Sequence, residues 1–517
     1  MTSVLSSDRQ LQAEFSWARL ERGGGNPVFG LHVQGSRIAA ASGKRYASID
    51  PTTAQPWAEF ADAGPEDVGH AVAAASRAFA DASWRELSPT RRGRLLMRFG
   101  DLIAEHADRL AAVETRQNGK LFREMAAQAK MIPEWLYFFG GLADKVEGRV
   151  IPLDRQSVLN YTLREPLGVI GVITPWNSPL FLTVMSIAPA LAAGNAVVIK
   201  PSEFTPAAIL DVAILAEEAG IPPGIINVVT GAQAAGSALV EHRDVAKVAF
   251  TGGTATARAI ARSVGARLGR YTLELGGKSP NIVFADASLD AAEAGVLAGI
   301  FAAGGQTCVA GSRLLVQRPV HGELLTRLRG RAAEIRLGDP MEEETQMGPI
   351  ATAQQLQRIE ATVDAARAAG AEILVGGRRA SVASLPDGLF YEPTVVAGVG
   401  NDAEVCQQEI FGPVLAVVPF EDEEEAITLA NSSRYGLAAG VWTRDIKRAH
   451  RMARTLQAGT VWINTYRALA FNSPFGGYKQ SGIGRANGIE SIGEYLQTKS
   501  VWCELGEEVQ DPFVLKL

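Results

Sequence analysis

At 517 residues the chain exceeds the size at which one hydrophobic core keeps growing, so two or three domains are expected. Its 47% hydrophobic and 21% charged residues are those of an ordinary globular protein, which excludes a disordered or fibrous chain. A net charge of −6 without a basic block excludes the electrostatic footprint of a nucleic-acid binder. Three cysteines, Cys308, Cys406 and Cys503, are too few and too scattered for a disulfide framework or a zinc site, so no metal is expected and at least one thiol is free for chemistry. Asp8, Arg9, Glu14 and Arg19 interrupt any signal-peptide pattern, and cytoplasmic residence is the expectation.

In chain order, the first forty or so residues, with glycines 23–25, show little periodicity and read as an extension of loose local structure. Ala-rich segments at 68–80, 90–106 and 107–118 predict helices. Residues 166–199 carry no charge and are long enough to suggest a membrane span. Pro175, Asn177, Pro179, Pro189 and Asn195 punctuate the stretch, so it reads as a buried strand, helix and strand, with no membrane partner. Apolar runs at 167–174, 196–200, 226–229, 248–251 and 271–274 alternate with helical segments, as a parallel doubly wound sheet requires. A second alternating series has strands at 281–284, 313–317, 414–419 and 438–442, with a boundary near 276–278. The acidic run 421–425 predicts a solvated helix start.

Gly305-Gln306-Thr307-Cys308 lies among small residues before the strand at Arg313. A single cysteine in a globular chain is more often inert than catalytic. In Glu274-Leu275-Gly276-Gly277-Lys278 a carboxylate ends a strand, and two glycines let the chain turn sharply beside a ligand. Alone, that carboxylate reads equally as a salt-bridged strand end. The two motifs, 34 residues apart from Glu274 to Cys308, occur with five others: Thr174-Pro175-Trp176-Asn177, Lys200-Pro201-Ser202-Glu203, Phe250-Thr251-Gly252-Gly253-Thr254, Glu409-Ile410-Phe411-Gly412-Pro413 and Pro474-Phe475-Gly476-Gly477-Tyr478-Lys479. In this set and order the chain resembles the aldehyde dehydrogenase superfamily from about residue 45 to 500.

The resemblance implies an α/β fold: two doubly wound α/β domains, nucleotide-binding and catalytic, plus a small β oligomerisation arm. The NAD(P)-binding domain would take 1–149 and 168–276, the catalytic domain 277–480, and the bridging segments 150–167 and 481–517. It implies oxidation of an aldehyde to a carboxylic acid with Cys308 as nucleophile, Glu274 as the base for thioester hydrolysis, and Asn177 with the Cys308 backbone N–H as the oxyanion hole. No glycine-x-glycine-x-x-glycine follows a strand, so the cofactor residues come from the family pattern instead. Thr174, Pro175, Trp176 and Leu275 would line the cofactor site, Lys200, Ser202 and Glu203 the adenosine ribose, Gly252 and Gly253 the pyrophosphate, and Glu409 and Phe411 the nicotinamide end. NAD is expected over NADP, because Glu203 would repel a 2′-phosphate.

Several positions depart from the family pattern. Ala257 stands where many relatives have a glycine, which predicts a slightly altered pyrophosphate approach, and Ser186 and Ala486 replace a lysine–glutamate pair behind the catalytic site. Ser178 and Leu469 replace aromatic residues, which would widen the aldehyde tunnel beside Phe181 and Phe475. Arg467 brings a cation to its mouth, either paired or solvated there or holding a substrate's carboxylate or carbonyl. The alternatives are a CoA-acylating enzyme, against which Glu274 argues, and a non-catalytic binding protein on the same scaffold. A homodimer or homotetramer is implied, joined through 150–165 and 500–505.

Overall fold

The computed structural model describes residues 26–507, with the backbone of Arg19–Glu21 and residue 513. Five apolar runs, Val169–Ile173, Ala196–Lys200, Ile226–Val228, Val245–Gly252 and Arg270–Leu275, lie parallel in one eight-stranded sheet. Every residue of the first three is buried, as expected for parallel strands covered on both faces. Helices Pro179–Ala192, Ala207–Glu218, Gln233–Glu241 and Thr254–Ala266 make the four crossovers. The uncharged stretch therefore folds as a strand, helix and strand. No helix among the described residues is long and apolar enough to cross a membrane.

Taken across the sheet, these parallel strands stand in the order fifth, fourth, first, second, third. The order reverses between Val169–Ile173 and Val245–Gly252, and the crevice at such a reversal is where open α/β sheets bind ligands, beyond the carboxyl ends of the strands. Thr174 to Asn177 and Gly252–Gly253 leave the sheet at that point.

A second, seven-stranded sheet runs Glu372–Val375, Thr394–Ala397, Val414–Phe420, Arg313–Gln317, Pro280–Val283, Ala438–Trp442, Thr460–Ile463, all pairs parallel except the first. It has its own core on each face. Gly276 and Gly277 carry the chain from the last parallel strand of the first sheet to the first of the second. A separate three-stranded antiparallel sheet joins Leu496–Glu504, Val158–Pro166 and Val150–Ile151.

The expectation of loose structure over the first forty residues is corrected from residue 26 onward. Val28–Phe29 pairs with Gln55–Ala61, and Leu31–Val33 adds to the edge of the large sheet. Strands of two or three residues show no period of their own, and their order comes from the strand they pair with. Residues 1–18 and 22–25 lie outside the described residues. The acidic run does start a helix, Glu423–Asn431, with Asp422 accepting from the Glu425 N–H.

Helices Pro89–Glu105 and Phe122–Leu142 cross at Gly93 and Gly140, where a methyl on Gly93 would lie 2.2 Å from the Gly140 carbonyl oxygen. Gly93→Ala should therefore cost about 1–3 kcal/mol through overpacking and lower the thermal midpoint. Gly236→Ala, in a helix with nothing within 4 Å of the added methyl, should stabilise by about 0.4–1 kcal/mol. Equal shifts for the two variants in a thermal melt would contradict this packing.

Candidate active site

Cys308 stands at the end of a tight turn. Helix Leu289–Ile300 is followed by Ala303, Gly304 and Gly305 at φ 54°, 58° and 68°, three consecutive left-handed residues of which one is not glycine. Such a backbone persists only where its surroundings hold it. Glu124 Oε1 accepts from the Ala303 N–H at 3.1 Å, and a methyl on Gly305 would lie 2.1 Å from the Gly412 carbonyl oxygen. The Gln306 side chain then bridges to the Pro349 carbonyl (3.3 Å) and the Ala351 N–H (2.9 Å), while its own carbonyl accepts from Asn177 Nδ2 at 3.2 Å. Cys308 is thereby fixed beside Asn177.

Glu274, in the strand Arg270–Leu275, is buried, and its Oε2 has no hydrogen-bond partner. Burial drives its pKa well above the usual carboxylate range, only partly opposed by Arg485. Gly276 and Gly277 follow, and each is required by space. A methyl on Gly276 would sit 1.9 Å from Glu409 Oε2, and one on Gly277 would sit 2.9 Å from the Cys308 carbonyl oxygen. Glu409 Oε1 accepts from the Gly277 N–H at 3.2 Å. Burial raises Glu409 to about 7. The same desolvation, with Glu409 and Glu274 close by, pushes the Cys308 thiol up to about 12, and Lys120 pulls it down.

One cleft of about 210 Å³ is lined by Cys308, Glu274, Asn177, Pro175, Trp176, Gly252, Gly253, Leu275, Glu409, Phe411 and Phe475. Trp176 meets Phe411 edge to face, ring centroids 5.2 Å apart. Phe411 itself has φ 60°, strained for an aromatic residue, and Gln355 Nε2 donates to the carbonyls of Ile410 (2.7 Å) and Phe411 (3.1 Å) to hold it. Thr174 and Lys200 end neighbouring strands, with the Thr174 N–H on the Lys200 carbonyl at 3.3 Å. Lys200 Nζ pairs with Glu203 Oε2 at 3.4 Å, and Ser202 Oγ accepts from the Phe204 N–H. These three stand one strand away from the catalytic cleft.

The residues fit a dinucleotide. Gly253 precedes helix Thr254–Ala266, whose first amides receive no side-chain cap, and a methyl on Gly253 would meet nothing within 4 Å. Thr254 Oγ1 beside it is buried without a partner. An open helix N-terminus with a free hydroxyl suits a pyrophosphate. The expected effect of Ala257 is not supported: it is buried in the core, so its methyl does not protrude at the open end of that helix.

Of the expected substrate residues only Phe475 lines the Cys308 cleft; Ser178, Phe181, Arg467 and Leu469 do not. Phe181 packs edge to face on Trp135 at 5.0 Å, and Leu469 rests on the same core. Arg467, at φ 63°, donates from Nη1 to the Ala298 carbonyl at 3.2 Å. Ser178 Oγ accepts from Lys120 Nζ at 3.3 Å. Behind Glu274, Ser186 and Ala486 line a hollow of about 20 Å³ beside Arg485, and the Ser186 hydroxyl donates to the Leu182 carbonyl. Sequence reasoning missed Gln355, Arg358 and Met185 in the cleft, and Lys120 and Glu124 beneath it. Gln355 and Arg358 sit one turn apart on helix Ala353–Ala368 with no motif to mark them. Lys120 follows a helix-ending Gly119, a cue that marks only a helix terminus.

The aldehyde dehydrogenase family model matches residues 38–501. A curated relative from Acinetobacter baylyi, (Z)-2-((N-methylformamido)methylene)-5-hydroxybutyrolactone dehydrogenase, is 44% identical over 94% of this chain and 99% of its own. An aldehyde dehydrogenase from Aspergillus niger is 43% identical over 92% and 95%. Betaine aldehyde dehydrogenase from Staphylococcus aureus, solved in complex with NAD+, superposes with a TM-score of 0.93 at 38% identity, covering 98% of each chain. With the family's sequence running across nearly all of its length and the family's fold beneath it, this chain belongs to the aldehyde dehydrogenase family.

Proposed function

We propose that the protein oxidises its aldehyde in two stages on Cys308, with Glu274 as the base of the second. The observation that carries this is the meeting of a thiol, a desolvated carboxyl and an anchored amide in one cleft. In the first stage the Cys308 thiol gives up its proton to water, its sulfur bonds to the aldehyde carbon, and the carbonyl π pair moves to oxygen. The Asn177 amide spends one N–H on Gln306, which fixes its plane and leaves the other N–H, with that of Cys308, for the developing oxyanion. When bound, NAD supplies the hydride acceptor and a positive charge beside the thiol. The oxyanion pair then re-forms the carbonyl as a thioester while the aldehyde C–H bond breaks and its electron pair leaves with the hydrogen as hydride.

In the second stage Glu274 takes a proton from water, the water oxygen bonds to the thioester carbon, and collapse expels the Cys308 sulfur. Since burial raises Glu274, its basic form is gained only as pH rises. Turnover should accordingly climb as pH rises above the ordinary carboxylate range. Glu274→Gln should remove that climb and stall after a burst of about one NADH per site, because hydride transfer comes first. Unchanged steady turnover in the variant would contradict the role. Cys308→Ala should lose turnover by about 10⁴-fold or more while still binding NAD. NADH formation across an aldehyde panel, with and without CoA, tests the whole reading: dependence on CoA would overturn hydrolysis.

NAD is the preferred cofactor in this proposal. A carboxylate at Glu203 accepts from a free 2′-hydroxyl and repels a 2′-phosphate, while Lys200 at 3.4 Å offsets part of that repulsion. The kcat/KM for NAD should exceed that for NADP by about tenfold, a difference of about 1.4 kcal/mol. Equal use of both would mean that Glu203 does not face the ribose. In the same reading, Ser178 and Leu469 widen the aldehyde tunnel and Arg467 stands at its mouth. The name of the Acinetobacter relative, a substituted hydroxybutyrolactone, agrees with a bulky polar substrate.

We further assign 1–149 and 168–276 to nucleotide binding and 277–480 to catalysis. The three-stranded sheet, with Leu159, Leu163 and Trp502 exposed, is assigned to a homo-oligomer contact within the cytoplasm. Trp502→Asp should reduce the sedimenting mass. A monomeric wild-type protein would exclude the contact.

A further inference from the structure

The turn that presents Cys308 is braced unevenly. Its far end is packed: a methyl on Gly305 would meet the Gly412 carbonyl oxygen at 2.1 Å, and the Gln306 side chain is tied to Pro349 and Ala351. Its near end is not. Phe301 and Ala302, the two residues before Ala303, line a hollow of about 360 Å³ together with Leu121, Glu124, Leu297 and Ala298. Within the turn the Gly304 N–H donates to the Phe301 carbonyl and the Gln306 N–H to the Ala303 carbonyl, both at 3.0 Å, which leaves the Ala303 N–H without a partner in its own segment. Glu124 Oε1 supplies that partner from 179 residues away in the chain.

Ala303 is the residue at which a brace counts most. Gly304 and Gly305 take left-handed backbone freely, whereas the Cβ of Ala303, at φ 54°, makes it costly there. Glu124 is itself firmly held. It lies in the first turn of helix Phe122–Leu142, where the helix dipole favours a carboxylate, and that end of the helix is anchored by the Phe122 N–H on the Pro340 carbonyl (2.9 Å) and by Arg123 Nη1 on the Glu343 carbonyl (2.7 Å). Glu124 Oε2 is buried without a hydrogen-bond partner. A buried oxygen left unpaired costs free energy, so stability alone does not account for a carboxyl group at this position.

We propose that Glu124 is a positioning residue for the reaction at Cys308: its bond to the Ala303 N–H holds the left-handed turn in the one conformation that brings the Gln306 carbonyl to Asn177 and the Cys308 N–H to the developing oxyanion. Glu124 acts through the turn and touches neither the substrate nor the cofactor. Without its bond Ala303 relaxes toward ordinary backbone, and because Gln306 fixes the Asn177 amide, both oxyanion donors shift together. The loss falls on the rate of the steps at Cys308 and leaves the binding of NAD and aldehyde in place. The proposal rests on aldehyde oxidation at Cys308.

Two substitutions separate the bond from the charge. Glu124→Gln keeps an accepting oxygen at the same reach and removes the charge, whereas Glu124→Asp keeps the charge in the first helical turn and falls short of Ala303 by one methylene. The NADH burst rate, kcat, KM for the aldehyde, NAD dissociation constant and thermal melt are measured for each, and for Glu124→Asp combined with Ala303→Gly. Glu124→Asp should lower the burst rate about tenfold, with KM and NAD binding within about twofold of the wild type, and Glu124→Gln should keep at least about half of that rate. In the double variant glycine takes the left-handed backbone without penalty, and the burst rate should recover about fivefold. A wild-type burst rate in Glu124→Asp, a deeper loss in Glu124→Gln than in Glu124→Asp, or a loss that Ala303→Gly does not relieve overturns the positioning role and leaves aldehyde oxidation standing. If Glu124→Asp does not fold, Glu124→Gln alone decides: about half of the burst rate or more supports the bond, and a smaller remainder overturns it. A wild type that gives no NADH burst with any aldehyde overturns the oxidation and the positioning role with it.

Discussion

Where the backbone passes from one sheet to the other it runs between two groups that leave no room for a side chain. The Glu409 carboxylate occupies the space of a methyl on Gly276, and the Cys308 carbonyl crowds that of a methyl on Gly277. Neither contact is incidental. Glu409 accepts from the Gly277 N–H, and Glu274 lies two residues before Gly276, on the strand that Leu275 ends. This crossing therefore sets the spacing of Glu274, Glu409 and Cys308 together. Any added bulk would have to push the two sheets apart or expel the Glu409 carboxylate.

The two sheets contribute opposite ends of their strands to the cleft. From the first come the carboxyl ends, at Thr174 to Asn177, Gly252–Gly253 and Glu274, as the strand-order reversal requires. From the second come the segments entering the amino ends, Gly276–Gly277 before Pro280–Val283, Cys308 before Arg313–Gln317, and Glu409 before Val414–Phe420. The consequence is electrostatic. Three acidic groups are gathered in one cleft, and desolvation raises all three pKa values, Cys308 to about 12 and Glu409 to about 7.

Much of this was legible in the amino-acid order, and the part that was not has physical causes. The strands Ala196–Lys200, Arg313–Gln317 and Ala438–Trp442 match the predicted limits because a buried parallel strand is an unbroken apolar run between breakers. Residues 26–38 were read as loose because their strands borrow order from distant partners. At the site, the motifs bring together the residues that lie on sharp turns, where glycine and strained backbone leave a signature. Gln355, Lys120 and Glu124 act through contacts made across long sequence separations, with Ile410 and Phe411, Ser178, and Ala303 respectively, and nothing local distinguishes them from surface polar residues. Ser178 shows the limit from the other side: its small size was legible, but the lysine bonded to its hydroxyl was not.

The central claim is that Cys308, rather than Cys406 or Cys503, carries the substrate covalently. All three thiols are free, one partly exposed, one buried and one exposed, so exposure alone does not choose among them. The direct measurement is acid quenching of the enzyme during turnover with an aldehyde and NAD, followed by intact mass and peptide mapping. The account predicts one acyl group per chain, on the peptide containing Cys308. An acyl group on Cys406 or Cys503, or turnover with no adduct at any time point, would contradict it.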